Sequence, residues 1–206
     1  MFWKKTFIVI ALWSWMGGHA FAAECVNPPA KVINLDLASR KSLLSPDQQW
    51  RIISVGSDSS EQAATLSIQN KRTSQKWNVG SIERHATAFW SEDSKRLFLR
   101  DSYAADDTKI RVFDFSGPRP KEIKGLDESI RKAIFSRIPE DEATQWLYYP
   151  KACFAANDTD TIILVADAPL TKKRESSEGK PFKLNLTVNI ISFQILIEAP
   201  KAPTFP

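Results

Sequence analysis

The feature that most constrains this chain is a short pattern that occurs three times. In each copy a small residue is followed two positions later by Asp, then by polar residues and an apolar run. The copies begin at Ser45, Ser91 and Ala156, and their aspartates are Asp47, Asp93 and Asp158. An Asp at this position accepts hydrogen bonds from backbone N–H groups two residues on and so fixes a tight turn. The pattern therefore predicts three turns, each leading into a strand.

Segments of alternating apolar residues flank these turns. They cover residues 51–55, 64–69 and 75–79 after the first turn, and 87–90, 97–100 and 109–113 around the second. Period-2 alternation interrupted by Ser, Asp, Asn and Gly is typical of an antiparallel meander. The turn aspartates are 46 and 65 residues apart, a spacing typical of repeats that build four-stranded sheets. We therefore predict a mostly-β fold with three antiparallel, blade-like meander units, at about 43–79, 86–115 and 146–197.

The second copy carries a family resemblance. Its sequence FWSEDSKRLFL, residues 89–99, is followed by TKIRVFD at 108–114, and together they resemble a blade of the WD-repeat and Tol-type β-propellers. In those blades an F-S-P-D-G-K-x-L turn joins the first two strands. The first copy is similar and the third departs further, and at the position of the usual turn glycine the three copies have Gln48, Ser94 and Thr159.

The resemblance implies a binding protein rather than a catalyst. Three units are fewer than the four blades of the smallest rings. The expected architecture is therefore an incomplete propeller, an open stack of blades, or a sandwich built from similar hairpins.

Two segments do not fit a plain array of blades. Residues 126–138 predict an inserted helix with Leu126, Ile130, Ala133, Ile134 and Ile138 on one face, acidic residues in the first turn, and Pro139 after the last residue. From Lys183 to Glu198 the apolar residues stand at even positions up to Ile190 and at odd positions from Ile191. A β-bulge, or a strand that crosses between two layers, is the expected cause of this change of face.

The N-terminus predicts export. Lys4 and Lys5 precede an apolar run, and an A-x-A site ends at Ala22, so residues 1–22 are predicted to be a signal peptide cleaved between Ala22 and Ala23. The apolar run is shorter than the roughly 20 residues of a membrane-spanning helix. We therefore expect a periplasmic or secreted protein with no stable membrane anchor. Its single β-rich domain covers 23–198, and an extended, Pro-rich tail covers 199–206.

Export also changes the charge and the cysteine chemistry. The formal net charge of +4 includes Lys4 and Lys5, and the remainder is too small to indicate a nucleic-acid partner. Both cysteines, Cys25 and Cys153, would remain after cleavage, and an even number of cysteines in an oxidising compartment predicts a disulfide. Such a disulfide would tie the start of the mature chain to its last third.

No residue set in the sequence predicts catalysis or a cofactor. His85 is the single histidine of the mature chain, and no nucleophile pattern accompanies it. Asp101, Asp106 and Asp107 lie close together, but their spacing matches no calcium loop. Calcium binding and solvated turn carboxylates both remain open for them.

Aromatic residues provide the candidate binding surface. Trp50, Trp77 and Trp90 fall at core positions of strands, whereas Trp146, Tyr148 and Tyr149 belong to an unbroken bulky run that would place rings on both faces of a sheet. The leading hypothesis is an exported, non-catalytic module that binds another protein through this run. The alternatives are an exported inhibitor or immunity-type protein that inserts the polar loop 171–180 into an enzyme, and a hydrolase that uses carboxylates alone.

Overall fold

The computed structural model describes residues 31–36, 40–56, 63–103, 107–137, 147–156, 158–168 and 182–198. The elements in chain order are β1 (Val32–Asp36), β2 (Lys41–Leu44), β3 (Trp50–Val55), β4 (Ala64–Asn70), β5 (Lys76–Ile82), β6 (His85–Trp90), β7 (Arg96–Ser102), β8 (Lys109–Asp114), β9 (Lys121–Glu122), α1 (Leu126–Phe135), β10 (Tyr148–Ala155), β11 (Asp158–Ala168), β12 (Phe182–Asn189) and β13 (Ile195–Glu198).

These strands form three antiparallel sheets. Sheet I has the order β2-β3-β4-β5, sheet II the order β1-β6-β7-β8-β9, and sheet III the order β10-β11-β12-β13. Apart from β1, each sheet is a meander in which consecutive strands are neighbours. The predicted fold class, mostly-β with blade-like meanders and one helix, is confirmed.

Sheet II lies between two hydrophobic cores. Core A joins sheets I and II, and core B joins sheets II and III with α1. Successive side chains of a strand point to opposite faces, so Leu97 and Leu99 of β7 enter core A while Phe98 enters core B. The uninterrupted apolar sequence of β7 follows from burial on both sides.

The predicted helix is present but shorter than expected. It begins at Leu126, and its buried residues Leu126, Ile130 and Ile134 belong to core B. It ends at Phe135, where the chain tightens into a turn in which the Arg137 N–H donates to the Ile134 carbonyl at 2.9 Å. The prediction was therefore wrong at the C-terminal end, and Ile138 lies outside the described residues.

The interpretation of residues 183–198 as one long strand was wrong. The change of apolar face is a hairpin turn between β12 and β13, in which Asn189 Oδ1 accepts hydrogen bonds from the N–H groups of Ile191 at 3.1 Å and Ser192 at 2.8 Å. Phe193 adopts a φ of 58°. Ile190 is fully buried and Phe193 packs against core B, so the turn has an apolar sequence because its side chains contribute to the core.

Several predictions fall on residues outside the described ranges. They concern the signal peptide 1–22 with Ala22 and Ala23, Cys25, Asp106, Trp146, the loop 171–180 and the tail 199–206. Within the described part of the chain, α1 is too short to be a membrane-spanning segment, and no other helix qualifies.

Candidate functional site

The first two repeated turns have the same hydrogen-bonded geometry. In the second turn, Ser91 Oγ donates to Asp93 Oδ1 at 2.7 Å and accepts from the Arg96 N–H at 2.9 Å, while Asp93 Oδ1 also accepts from the Lys95 N–H at 3.0 Å. Ser45 and Asp47 make the equivalent bonds to the N–H groups of Trp50 and Gln49. The turn role predicted for these aspartates agrees with this geometry.

The first two turns and the start of β11 lie together at one end of the sheets, which we call the turn end (residues 45–49, 91–95 and 158–160). The Asp47 N–H donates to Ser94 Oγ at 3.0 Å, and Thr159 Oγ1 donates to Asp93 Oδ2 at 3.1 Å. Burial alone would raise the pKa of Asp93, but its hydrogen bonds and the charge of Lys95 lower it. Because these polar groups form hydrogen bonds with one another, we assign the turn end a structural role, in which it links the three sheets.

Arg96 links sheets II and III at the turn end. Its side chain is 8% exposed and donates from Nη2 to Asp160 Oδ1 at 2.6 Å and from Nη1 to Ser116 Oγ at 3.1 Å, with a further ion pair to Asp114. The desolvation of Asp114 raises its pKa, but the hydrogen bonds from Ser116 and the charge of Arg96 outweigh that effect and lower it. Asp114 is therefore an ionised partner of a buried cation.

At the end of sheet II opposite to the turn end, Asp107 forms an ion pair with Arg131. Its carboxylate accepts from Arg131 Nη2 at 2.7 Å, and Arg131 Nε donates to Asp127 Oδ2 at 2.8 Å. Burial lowers the pKa of Arg131, but the hydrogen bonds and charges of the two aspartates raise it overall. Hydrogen bonding to Asp107 likewise raises the pKa of Tyr103. The network anchors α1 to the start of β8.

Asp101 lies apart from Asp107, on the side of sheet II that faces core A. It follows Leu99 by two positions in β7 and so shares a face with Leu97 and Leu99, which enter core A. It is 8% exposed, and its Oδ1 atom has no hydrogen-bond partner among the described residues. Among the described residues, no group of three or more His, Cys, Asp or Glu side chains is arranged to hold a metal ion; Asp106 is outside them.

His85 is an exposed residue at the start of β6. Partial burial lowers its pKa, and the charges of Arg100 and Arg84 lower it further. His85 is therefore a surface imidazole whose charged form is disfavoured by two arginines.

The predicted aromatic run is divided between core and surface. Tyr149 is fully buried in core B, and burial raises the pKa of its hydroxyl. Its assignment to a binding surface was therefore wrong, because alternation along β10 turns the ring inward. Tyr148 is 40% exposed. It is the described member of the run that remains available to a partner.

Arg100 holds the Tyr148 ring in place. Its guanidinium carbon lies 5.3 Å from the ring centroid, a cation–π distance. Arg100 is itself fixed, because Nη1 donates to the Tyr149 carbonyl at 2.6 Å and Nη2 donates to Thr87 Oγ1 at 3.0 Å. No local pattern indicated this arrangement, since Tyr148 is 48 positions after Arg100 in the chain.

Tyr148 belongs to the face of sheet III that points away from core B, which we call the end face. Its strand partner Asp167 shares that face, and so does the row Cys153, Ile163, Thr187 and Leu196. Leu196 is 45% exposed. The end face therefore presents an exposed tyrosine and an exposed leucine.

Comparisons with known proteins give a limited result. No family model matches the chain, and no curated protein matches it. The structure is similar to the crystal structure of TolB from Acinetobacter baumannii, with a TM-score of 0.40 and 13% sequence identity over 80% of this chain. The chain spans 33% of the length of that protein. The likeness extends to a β-rich fold and no further.

Proposed function

We propose that this protein is an exported, non-catalytic interaction module that binds another protein through the part of the end face around Tyr148. The observation that carries the proposal is the exposed Tyr148 ring held under Arg100. Tyr and Arg are the residue types that most often dominate binding energy at protein interfaces. A ring that is already fixed before binding loses little conformational entropy when a partner covers it.

The surroundings of Tyr148 fit a protein partner. Asp167 and Lys183 form an ion pair at 3.7 Å next to it in the strand register, and Lys151 is exposed two pairs further along. An exposed aromatic centre bordered by opposite charges is the usual composition of a protein interface, with its apolar core and polar rim.

The test is retention of a partner by matched variants. The purified, oxidised protein is immobilised, exposed to periplasmic extract from its own source, and compared with Tyr148→Ala and Ile191→Ala. Ile191 is 58% exposed in the β12–β13 turn at the turn end, so its variant removes an exposed apolar side chain far from Tyr148. The retained protein is then purified and titrated against all three forms.

We expect Tyr148→Ala to weaken binding about tenfold to thirtyfold, as loss of a hot-spot residue does. Ile191→Ala should bind as the unchanged protein does. Equal binding by both variants would place the interface elsewhere, and turnover of a substrate by the purified protein would contradict a non-catalytic role.

A further inference from the structure

The charge of Arg100 is not balanced within the described part of the chain. Its guanidinium donates to two neutral oxygens, the Tyr149 carbonyl at 2.6 Å and Thr87 Oγ1 at 3.0 Å, and it forms no ion pair with a described residue. Its Nε atom is buried and has no hydrogen-bond partner there. By contrast, carboxylates pair with the guanidinium groups of Arg96, Arg111 and Arg131. Arg100 is therefore a half-buried cation that can still bind an anion.

The surface next to Arg100 is an open part of sheet II. Strand pairing places five side chains of β1 and β6 on the same face as Phe89, which enters core B. We call this set the ledge (Val32, Asn34, Asp36, His85 and Thr87). Val32 is 47% exposed, and Asn34 is exposed as well. The Thr87 hydroxyl accepts from Arg100 and donates to Asn34 Oδ1 at 3.3 Å, so Arg100 lies at the border of the ledge.

Positive charge extends from Arg100 to the exposed surface. Partial burial is the largest cause of the lowered pKa of His85, and the charges of Arg100 and Arg84 are the next two. Arg84 directly precedes β6 and is exposed. Because an exposed group of the ledge is affected by both guanidinium charges, both would attract an anion that lies there.

The acidic residues near the ledge do not neutralise Arg100. Asp36 and Asp167 are each paired with a lysine. After burial, the charge of Glu83 is one of the causes that raise the pKa of Asp101, which lies on the opposite face of sheet II. Within the described part of the chain, the anion for Arg100 is therefore missing, and a partner can supply it.

A carboxylate is the anion that fits this position. The planar guanidinium fork matches the two oxygens of a carboxylate. The Tyr148 ring, whose centroid lies 5.3 Å from the guanidinium carbon of Arg100, offers an apolar contact for the stem of an Asp or Glu side chain. Because Arg100 is half-buried, a carboxylate that covers it is partly shielded from water. Such a pair contributes more to binding than a pair on an open rim.

We propose that the protein partner bound at Tyr148 presents an acidic side chain to the ledge, where its carboxylate pairs with Arg100 next to the Tyr148 ring. The proposal rests on the function proposed above, because it names the chemistry of the same partner. It extends the binding site from the end face across Arg100 to β6 and β1. The anion site itself can be tested without the partner.

The first experiment uses a capped hexaglutamate peptide as the probe and a capped hexaglutamine peptide as its uncharged match. Each is titrated into the purified, oxidised, isotope-labelled protein, and backbone amide shifts are followed by NMR. Hexaglutamate should shift the amides of Thr87, Arg100 and Tyr148 several-fold more than hexaglutamine does. Equal shifts with both peptides, or shifts confined to other surfaces, would overturn the proposal. Tighter binding of hexadeoxythymidine at the same amides would also overturn it, in favour of a nucleic-acid phosphate.

Arg84→Glu and Lys76→Glu are the matched variants, because each reverses one exposed charge. Arg84 borders the ledge, whereas Lys76 lies in β5 of sheet I. Arg84→Glu should weaken hexaglutamate binding about tenfold, and Lys76→Glu should leave it unchanged. Equal weakening by both variants would mean that the peptide responds to net charge alone, which contradicts a site at Arg100.

Titration of the retained partner separates this proposal from the function on which it rests. Tyr148→Ala and Arg84→Glu should both weaken binding of the partner, and Lys76→Glu should not. Weaker binding by Tyr148→Ala with unchanged binding by Arg84→Glu would keep the interface at Tyr148 and refute the acidic contact. Unchanged binding by Tyr148→Ala, with hexaglutamate still bound at the ledge, would refute the proposed function and leave the anion site in place.

Discussion

At the scale of single residues, Asp101 is the group most at odds with its surroundings. It is 8% exposed on the core A side of β7, and within the described part of the chain one carboxylate oxygen has no hydrogen-bond partner. Burial raises its pKa to about 6, with Glu83 and Glu122 adding to the rise and Arg111 and Lys109 opposing it. An unfolded aspartate ionises near pH 4, so the folded state binds a proton that the unfolded state has released between these two values.

Stability should therefore fall as the pH rises from about 4 to about 6, because the unfolded state binds fewer protons than the folded state in this interval. Asp101→Asn removes the buried charge and should raise the free energy of unfolding by about 1 to 2 kcal/mol at pH 8, after allowance for solvent screening. The gain should vanish below pH 4. Urea unfolding at both pH values checks this, and a gain that persists at pH 4 would contradict the mechanism.

Asp107→Asn is the matched control for Asp101→Asn. Asp107 is 9% exposed like Asp101, but its carboxylate binds Arg131. The substitution should lower the free energy of unfolding at pH 8, because it leaves the Arg131 cation partly unpaired. The two substitutions should therefore have opposite signs.

Arg96 offers a second prediction at this scale. Arg96→Ala removes a side chain that is 8% exposed and leaves Asp114 and Asp160 without their common cation. We expect a loss of about 3 to 5 kcal/mol, as for a broken buried ion pair. Lys95→Ala is the control, since Lys95 is 61% exposed in a 3.6 Å pair with Asp93 and should cost less than about 1 kcal/mol. Chemical denaturation measures both, and equal losses would contradict the assigned role of Arg96.

At the scale of elements, the first two repeated turns contain backbone strain that a substitution to glycine can relieve. Gln48 has a φ of 60° and Ser94 a φ of 62°, at the positions where related turns have glycine. A left-handed conformation costs a residue with a Cβ about 1 to 2 kcal/mol. Gln48→Gly should therefore stabilise the protein by about 0.5 to 1 kcal/mol, once the greater flexibility of glycine in the unfolded chain is included. Thermal unfolding provides the measurement.

The other two turns supply the controls. Ser94→Gly should gain less than Gln48→Gly, because it also removes the hydroxyl that accepts from the Asp47 N–H. Thr159 lies within β11 and is absent from the residues with positive φ in the described part of the chain, so Thr159→Gly should destabilise. A gain at all three positions would show that turn strain is not the cause.

The sequence was informative about elements wherever structure depends on neighbours in the chain. Turn aspartates and alternating strands are local signals, and they predicted the core of each meander. The pairing of β1 with β6 joins residues about 50 positions apart, and nothing local specifies it. The β12–β13 turn was missed because Ile190 and Phe193 face core B, so that the turn has an apolar sequence.

The candidate site was less predictable for the same reason. Tyr148 and Tyr149 are adjacent, and only the packing of sheet III against core B decides which ring is exposed. The ion pair of Asp107 with Arg131 and the contact of Arg100 with Tyr148 both join distant parts of the chain. Such contacts follow from how the sheets pack, which no short motif encodes.

At the scale of the whole molecule, sheet II is the element on which both cores depend. Core A contains residues of sheets I and II, and core B contains residues of sheets II and III and of α1. Because single strands of sheet II contribute to both, loss of either core removes support from one face of the same sheet. We therefore expect the three sheets to unfold together.

Phe98→Leu tests this cooperativity. Phe98 is 1% exposed in core B, where its ring stacks on Phe89 at 4.6 Å, and it makes no contribution to core A. The substitution should lower the free energy of unfolding by about 1 to 2 kcal/mol. If the sheets form one unit, hydrogen exchange at the Ile68 amide of sheet I should speed up by the same factor as exchange at Leu186 of sheet III. Faster exchange at Leu186 with unchanged exchange at Ile68 would mean that sheet I keeps its fold independently, and that sheet II transmits no stability between the two cores.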